Sequence, residues 1–291
     1  MSKLKKIILI VLSLIIIITL TVLYSRYLGT KGLIIKEYKI ENKIFKDNFH
    51  GLKIVHISDI HYLTTVGKKE LENIVNKTNK LNPDIVVITG DLLDKDHKVN
   101  KKNMDILIEN LSNISATMGK YAITGNHDIL HKEWEEIINN SGFINMNENY
   151  DTIYNKNNDI IFIGGISSSI NDNNTKFKDK IDIINNKLDE AINNNKDKNI
   201  YNILLIHEPD FIDKFDYSRF NLILSGHSHN GQIKLPLIRP IYLPKGSKKY
   251  YKPYYKLKDT DLYISSGIGT SNYKFRLFNK PSINFYRLTN K

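Results

Sequence analysis

The chain has 291 residues, with 42 Lys and Arg against 31 Asp and Glu, and a formal net charge of +11. It contains no cysteine, which excludes disulfides, thiolate metal sites and a cysteine nucleophile, and leaves imidazole, carboxylate and amide oxygen as metal ligands. The length allows a sizeable core in one large domain or two small ones. The basic balance suits nucleic acid, anionic lipid or another polyanion, although solvated surface lysines account for much of it.

The first element in chain order is an apolar run from Ile7 to Tyr24, which follows Lys3, Lys5 and Lys6. As a helix it spans about 27 Å, close to the roughly 30 Å hydrocarbon core of a bilayer. The run is longer than a signal-peptide core and no small-residue cleavage site follows, so we favour an uncleaved anchor over a cleaved signal peptide. The positive-inside bias then predicts a single-pass protein of the cell membrane, with residue 25 onward extracytoplasmic.

Short apolar runs and helical patterns alternate through the rest of the chain. The patterns predict strands at 33–40, 53–58, 84–89, 120–124, 151–154, 160–164, 201–206, 221–224, 262–265 and 283–288, and helices at 68–81, 101–111, 132–140 and within 171–199. Because the early elements form a β-α-β unit, the predicted class is α/β with mixed sheets. We divide the chain into cytoplasmic lysines and a transmembrane anchor at 1–28, a tether and edge strand at 29–50, and one folded domain at 51–291.

Polar side chains follow five of the apolar strands, at the point where each strand ends. They are Asp59 and His61, Asp91, Asn126 with His127 and Asp128, His207, and His227 with His229. Sites in α/β sheets form beyond the carboxyl ends of strands, so we expect these loops to converge on one crevice. Their carboxylate, imidazole and amide groups suit two divalent ions that share one bridging carboxylate.

The loop at 225–232 carries the histidine pair of His227 and His229. If this loop is extended, alternate side chains lie on one side about 6.6 Å apart, and both imidazoles face one pocket. That spacing suits two metal ions about 3.5 to 4 Å apart, each taking one histidine.

Each motif also has a structural explanation, since Asp-x-His, Gly-Asp and Asn-His-Asp are common in turns and helix caps. Five such motifs in order at strand ends nevertheless favour one common site. His56 lies inside a predicted strand and is expected in the core, while His50, His97 and His131 lie in polar segments without a ligand partner nearby in sequence.

The motif order resembles that of the calcineurin-like metallophosphoesterase family over residues 52–230. The matching motifs are Asp59-x-His61, Gly90-Asp91, Gly125-Asn126-His127-Asp128, His207 and Gly226-His227-x-His229. The C-terminal part resembles the membrane-associated YkuE/YaeI-type phosphodiesterase branch, through the segment from Pro236 to Pro244, residues 265–271, Arg276 and Pro281. Ser228 and Asn230 depart from that branch and bear at most on loop shape. The resemblance implies a four-layer α/β/β/α sandwich of two mixed sheets with a dinuclear metal centre.

Carried over residue by residue, the resemblance assigns ligands to two ions. Asp59, His61 and His229 would bind one, Asn126, His207 and His227 the other, and Asp91 would bridge them. His127 matches the family's catalytic histidine, and Asp128 is expected to orient its ring. Asp94 is expected either to support these residues or to cap a helix. The ligand types admit Mn²⁺, Zn²⁺ or iron, of which we take Mn²⁺ as the first choice.

The predicted chemistry follows from the charges. Two cations lower the pKa of a bridging water enough to supply hydroxide near neutral pH, and they neutralise the phosphate oxygens that it approaches. Attack in line on phosphorus expels an alkoxide, which His127 is free to protonate. We therefore predict a phosphoesterase for phosphodiesters or pyrophosphate-linked lipid or envelope precursors. The alternatives are a phosphomonoesterase or protein phosphatase on the same centre, and a non-catalytic membrane-anchored binding module, which the complete ligand set disfavours.

Substrate specificity is expected in the loops at 167–174 and 232–258. The second loop interleaves lysines with tyrosines at 245–256, which suits anionic lipid headgroups or an anionic wall polymer as partner. A plain solvated loop is an equal alternative. Nucleic acid is not expected as a partner of an anchored extracytoplasmic domain.

Overall fold

The computed structural model of the protein describes residues 2–155, 159–195, 197–235 and 238–290. Its α-helices are α1 (Lys3–Leu23), α2 (Lys68–Lys80), α3 (Lys101–Ser112), α4 (Trp134–Asn140) and α5 (Asn174–Asn194). Its strands are β1 (Ile34–Glu41), β2 (Leu52–Ile57), β3 (Ile85–Thr89), β4 (Gly119–Ile123), β5 (Ile144–Asn145), β6 (Asn149–Tyr154), β7 (Ile160–Ile166), β8 (Tyr201–Ile206), β9 (Leu222–Ser225), β10 (Tyr254–Leu257), β11 (Thr260–Ile264) and β12 (Ser282–Thr289).

The N-terminal helix α1 is apolar on every side, and none of its residues is buried. Ser2 caps its first turn, and a π-helical turn at Tyr24–Leu28 continues it. Lys3–Leu28 is long and apolar enough to cross a membrane. A helix that is apolar all round needs an apolar environment, and the described part of the folded domain does not supply one.

Two six-stranded sheets form the centre of the domain. The strand order is β1-β12-β2-β3-β4-β5 in the first sheet and β10-β11-β9-β8-β7-β6 in the second. The first sheet is parallel except where β12 pairs with β2. The second is parallel inside and antiparallel at both edges, where β10 pairs with β11 and β6 with β7. Both sheets are therefore mixed, as predicted.

The layers follow from which strand faces are apolar. One buried cluster lies between the sheets and includes Val87 of β3 and Ile163 of β7. A second joins the outer face of the first sheet to α2, α3 and α4, and a third joins the second sheet to α5. Strands that are covered on both faces carry near-continuous apolar sequence, which is why β3 and β8 are buried throughout. The predicted four-layer α/β/β/α sandwich is confirmed.

The sequence patterns missed two strands, β5 and β10. β5 is only two residues long. β10 lies within the lysine and tyrosine segment at 245–256, where Tyr254 to Leu257 pair antiparallel with β11. This segment is therefore partly an edge strand, in which Tyr254 and Lys256 are exposed while Tyr255 and Leu257 are half-buried. Pro236, named in the sequence resemblance, lies outside the described residues.

The site is positioned by strands that end at the same edge of the sandwich. The parallel strands β2, β3 and β4 of the first sheet, and β8 and β9 of the second, run directly into the five polar loops. These loops therefore lie next to one another above the interface between the two sheets.

Candidate metal centre

The structure brings the predicted ligand residues together. Asp59 and His61 follow β2, Asp91 follows β3, Asn126 follows β4, His207 follows β8, and His227 and His229 follow β9. The Asp and His members are all buried. Their possible metal-ligating atoms form groups, which we call the donor groups, and within each group these atoms lie within 4.8 Å of one another. Five loops from both sheets thus converge on one crevice.

The first group consists of Asp59, His61 and His229. Nε2 of His61 lies 3.2 Å from Nε2 of His229, and Nε2 of His229 lies 3.4 Å from Oδ1 of Asp59. Ligands that lie about 2.1 Å from one ion are separated by about 3.0 to 3.4 Å. The donor chemistry and the spacing of this group therefore fit a divalent cation.

The second group consists of Asp91, His207 and His227, with Asn126 beside it. Nε2 of His207 lies 3.4 Å from Oδ2 of Asp91 and 3.2 Å from Oδ1 of Asn126. Imidazole, carboxylate and amide oxygen are suitable ligands for Mn²⁺, Zn²⁺ or iron. This group fits a second cation by the same criteria.

Asp91 lies between the two groups. Its Oδ2 is 3.4 Å from Nε2 of His207 and 3.6 Å from Nε2 of His61, while its Oδ1 accepts from the backbone N–H of His127 at 2.8 Å. One carboxylate oxygen therefore faces donors of both groups, which is the placement that a bridging ligand requires.

Backbone carbonyls determine which ring nitrogen of two histidines faces the centre. Nδ1 of His207 donates to the carbonyl of Thr89 at 2.6 Å, and Nε2 of His227 donates to the carbonyl of Lys245 at 2.8 Å. The opposite nitrogen of each ring is therefore the one left to bind a cation. Such outer hydrogen bonds are what hold a metal-ligating imidazole in the correct tautomer.

The electrostatics of the crevice favour an ionised bridging carboxylate. Burial alone would raise the pKa of Asp91, but His207, His127 and His61 lower this pKa well below its usual range. Burial also lowers the pKa of His229 well below its ordinary value, with the positive charges of His61 and Arg276 acting in the same direction. An anionic Asp91 and a neutral His229 are the forms that bind a cation.

Five of the predicted ligand residues have left-handed backbone conformations. The φ angles are 53° at Asp59, 44° at His61, 52° at Asp91, 64° at His227 and 47° at His229. The extended conformation predicted for the histidine pair is therefore wrong. His227 and His229 are both left-handed, with Ser228 in the right-handed region between them, and His227 joins the Asp91 group while His229 joins the Asp59 group. Strained backbone of this kind persists only where surrounding packing holds it, and it is concentrated at functional sites.

Two glycines allow the loops to approach the carboxylates. A Cβ on Gly125 would lie 2.2 Å from Oδ1 of Asp91, and a Cβ on Gly226 would lie 2.0 Å from Oγ of Ser58 and 2.6 Å from Oδ2 of Asp59. The glycines of the Gly-Asn-His-Asp and Gly-His-x-His motifs are thus required by space beside the ligands.

Asp94, and not Asp128, contacts the ring of His127. Oδ2 of Asp94 lies 3.3 Å from Nδ1 of His127 and 3.2 Å from Nδ1 of His61. The carboxylate of Asp128 instead accepts from the backbone N–H groups of Gly125, Leu92 and Leu93. The expectation that Asp128 orients His127 is therefore corrected, because Asp128 is committed to holding the loop backbones.

Asp94 connects more histidines than the sequence suggested. Its Oδ1 also lies 2.9 Å from Nδ1 of His97, and its backbone carbonyl accepts from Nε2 of His131 at 3.0 Å. Burial acts to raise the pKa of Asp94, but the bonds from His127, His61 and His97 outweigh it and hold this pKa below its usual range. His56 is buried in the core as predicted, where its ring contacts Thr89 and Tyr286.

His127 lies at the edge of the centre and is close enough to take part in binding. It forms a third group with His61 and Asp91, within the same 4.8 Å limit. Burial acts to lower the pKa of His127, but the hydrogen bond to Asp94 and the charge of Asp91 raise this pKa above its ordinary value. The geometry thus allows two roles for His127, as a proton donor or as a further ligand.

A cavity of about 380 Å³ opens from the donor groups. The predicted specificity loops line it through Ile170, Gln232, Tyr242 and Lys245, and Asn272 and Tyr273 come from a loop that the sequence reasoning did not place there. The sequence reasoning also missed the buried guanidinium of Arg276, whose Nη2 lies 3.2 Å from Nδ1 of His229. Its sequence neighbours are apolar or basic, so no local pattern indicates a buried partner.

Comparison with known proteins agrees with this geometry. Residues 52–231 match the family described as calcineurin-like phosphoesterase. The chain is 29% identical over 270 residues to the uncharacterized metallophosphoesterase YkuE of Bacillus subtilis, with 91% of this chain and 88% of that protein covered. It is 31% identical over 243 residues to the uncharacterized metallophosphoesterase Cj0846 of Campylobacter jejuni, covering 82% of this chain and 60% of that protein.

A further relative is named for a membrane segment. The chain is 28% identical over 246 residues to the transmembrane protein with metallophosphoesterase domain of Danio rerio, with 81% of this chain covered. The chain spans 53% of that protein, and less than two thirds of the Campylobacter protein.

Proposed function

Because the chain belongs to the calcineurin-like phosphoesterase family, whose members are metal-dependent phosphoester hydrolases, we propose that it is a membrane-anchored phosphodiesterase with two metal ions. The substrates are phosphodiesters or pyrophosphate-linked compounds. The observation that carries this proposal is the position of Oδ2 of Asp91, which faces His61 at 3.6 Å and His207 at 3.4 Å. One carboxylate shared by two donor groups is the arrangement of a two-metal hydrolytic centre.

Each residue of the crevice has a role in this proposal. Asp59, His61 and His229 would hold one ion, Asn126, His207 and His227 the other, and Asp91 both. When bound, the ions supply a hydroxide nucleophile from water near neutral pH and neutralise the phosphate oxygens. Mn²⁺ is the first choice, with Zn²⁺ or iron as alternatives.

His127 donates a proton to the leaving alkoxide. Its ring stands beside both Asp91 and Asp94. Nδ1 lies 3.3 Å from Oδ2 of Asp94 and 3.2 Å from the backbone nitrogen of Lys95, which leaves Nε2 as the nitrogen available to a substrate. Asp94 thereby holds the ring in one orientation, and protonation of the leaving group by a positioned imidazole contributes about 10²- to 10⁴-fold.

The cavity favours a diester over a monoester. It extends beyond the donor groups along Ile170, Ile233 and Tyr242, which gives a second ester arm an apolar surface to lie against. A monoester has only one ester arm, so a monoester of a small alcohol would leave part of this wall without a partner. A phosphomonoesterase or protein phosphatase on the same centre remains the second candidate, since the donor groups themselves serve either substrate.

In this proposal the N-terminal helix anchors the enzyme in a membrane. The helix Lys3–Leu28 supplies a span of sufficient length, and Lys3, Lys5 and Lys6 retain the N-terminus in the cytoplasm by the positive-inside bias. The catalytic domain then lies on the extracytoplasmic side. Residues 1–28 form the anchor, 29–50 the connection with its edge strand, and 51–291 the catalytic domain.

The test uses the full chain in detergent with Mn²⁺. We expect bis-nitrophenyl phosphate to be hydrolysed faster than nitrophenyl phosphate, and EDTA to abolish both activities. Asp91→Asn and His127→Ala are measured beside the parent protein. Equal activity in all three proteins would contradict the proposed centre, and a preference for the monoester would favour the second candidate.

A further inference from the structure

Part of the folded domain lies alongside the transmembrane helix. Leu277 and Phe278 line a hollow with Ile17, Leu20 and Tyr24 of the helix and its continuation. Ile17 precedes Tyr24 by seven residues, which is about 10 Å along a helix axis. The loop that carries Phe278 therefore lies beside the last turns of the helix, and not only at its extracytoplasmic end.

Hydrogen bonds hold the helix end against this loop. The backbone N–H of Arg276 donates to the carbonyl of Ser25 at 2.9 Å, and Nζ of Lys280 donates to the carbonyls of Leu28 at 3.0 Å and Lys31 at 3.1 Å. A Cβ on Gly29 would lie only 1.9 Å from the carbonyl oxygen of Arg276, so the two backbones are in direct contact. The domain is thus fixed to the helix end and is not suspended from a free tether.

Phe278 is ill-suited to water in this position. Its side chain is 65% exposed and its φ is 50°, a conformation that is costly for a bulky residue. Next to a helix segment that lies in hydrocarbon, the same side chain is covered by lipid. The exposure of this side chain is explained if the bilayer, and not water, surrounds this loop.

The same surface continues to the mouth of the cavity. The backbone N–H of Leu277 donates to the carbonyl of Gln232 at 3.2 Å, and that of Lys234 donates to the carbonyl of Leu277 at 3.0 Å. Ile233, between these two bonds, lines the cavity together with Tyr273. One strand-like pairing therefore separates the hollow beside the helix from the cavity of the metal centre.

The cavity mouth itself is apolar and exposed. Ile241 is 74% exposed, Tyr273 is 64% exposed and Tyr242 is 57% exposed, although all three line the cavity. Arg26 and Lys280 lie at the level of the helix end, where basic side chains meet anionic headgroups. We call Ile241, Tyr242, Tyr273 and Phe278 the lipid-facing surface.

We propose that the lipid-facing surface is embedded in the membrane interface, and that the substrate is a membrane lipid carrying a phosphate ester. The apolar chain of the substrate lies against Ile233, Ile241 and Tyr273 and continues into the bilayer, while its phosphate reaches Asp91 and the surrounding histidines. The substrate part of this inference rests on the proposed phosphodiesterase function, whereas the membrane contact does not.

Tryptophan fluorescence tests the membrane contact independently of catalysis. The chain has one tryptophan, the buried Trp134, which gives a constant background. The full chain carrying Phe278→Trp is reconstituted in vesicles of dibrominated phosphatidylcholine with phosphatidylglycerol. We expect a blue-shifted emission that the bromine atoms largely quench. The matched control is Tyr154→Trp, which replaces a 61% exposed tyrosine on β6 and should not be quenched.

Chain length of the substrate tests the lipid specificity. Methyl nitrophenyl phosphate and hexadecyl nitrophenyl phosphate are compared with Mn²⁺ in the same mixed micelles. Because the long chain buries apolar area, we expect kcat/KM to be at least about tenfold higher for the hexadecyl ester. Ile241→Asp should lower the ratio of the two values, and Tyr154→Asp should leave it unchanged.

The two experiments test different parts of the proposal. Equal quenching of the two tryptophan variants overturns the membrane contact. Equal kcat/KM for the two esters, with Mn²⁺-dependent turnover of both, overturns the lipid substrate and leaves the phosphodiesterase standing. No turnover of either ester removes the proposed function together with the lipid substrate, while the fluorescence result still decides whether the surface is embedded.

Discussion

Nη2 of Arg276 lies 3.2 Å from Nδ1 of His229, and the guanidinium is completely buried. The other guanidinium donors reach the carbonyls of Gly269 and Asn279, and the backbone N–H of Arg276 donates to the carbonyl of Ser25, just beyond the N-terminal helix α1. Arg276 therefore joins the helix end to a histidine of the metal centre.

Replacing this guanidinium is expected to destabilise the domain. Arg276→Met leaves the buried carbonyls of Gly269 and Asn279 without their donor, at a cost of about 2 to 4 kcal/mol in the free energy of unfolding. Urea unfolding of the full chain in detergent with EDTA measures this without a contribution from metal. Arg239→Met is the control, because Arg239 is exposed. Equal loss of stability in both variants would show that burial of Arg276 has no special role.

The bridging position predicts the metal stoichiometry of an Asp91 variant. Asp91→Asn removes the charge that faces both donor groups, so we expect bound Mn²⁺ to fall from about two ions to one or fewer per chain. Activity should fall at least about a hundredfold. Metal analysis after dialysis gives the stoichiometry, with the exposed Asp96→Asn as control. Retention of both ions would mean that Asp91 is not the bridge.

The role of His127 is tested by the leaving group. If its imidazole protonates the departing oxygen, His127→Ala should lower kcat about 10²- to 10⁴-fold for an alkyl leaving group. The loss should be smaller for nitrophenolate, which leaves without a proton. Bound metal should remain unchanged, whereas loss of one ion would assign His127 as a ligand. His97→Ala, which removes another contact of Asp94, serves as control.

His56 predicts a dependence of stability on pH that is independent of metal. Burial lowers the pKa of His56 from 6.5 to about 3, so the native ring stays neutral while the unfolded chain binds a proton. Stability is therefore lost as pH falls from about 6.5 towards 3, with a slope of up to about 1.4 kcal/mol per pH unit from this residue.

The measurement is urea unfolding with EDTA at several pH values from 7 to 4.5. His56→Gln should flatten the dependence, and His50→Gln, at an exposed histidine, should not. Parallel curves for His56→Gln and the parent protein would exclude His56 as the source.

Space beside the ligands predicts the effect of one added methyl group. In Gly226→Ala the new Cβ would meet Ser58 and Asp59, so we expect a loss of about 1 to 3 kcal/mol in stability and weaker binding of Mn²⁺. Calorimetric titration with Mn²⁺ measures the affinity. Gly67→Ala is the matched control, since its nearest neighbour is 3.4 Å away. Unchanged affinity in Gly226→Ala would show that Asp59 is free to move.

Local sequence determined the class of fold and the content of the site. Buried parallel strands need continuous apolar residues, and a site at their ends needs polar ones directly afterwards. Both requirements act over a few residues, so Asp59, His61, Asp91, His207 and the histidine pair are visible without any structure. The apolar run of α1 is visible for the same reason, because its residues are contiguous in the sequence.

Only the tertiary structure decided how these residues are arranged. The backbone is left-handed at His227 and at His229. It is held there by packing against Ser58, Asp59 and Gly267, which are distant in the sequence. Asp94, and not Asp128, contacts the ring of His127 because the loop after β3 and the loop after β4 lie next to each other there. The backbone of Arg276 contacts Ser25, about 250 positions away, and its guanidinium contacts His229, 47 positions away. Local patterns carry no information about such contacts, since they depend on how the whole chain closes on itself.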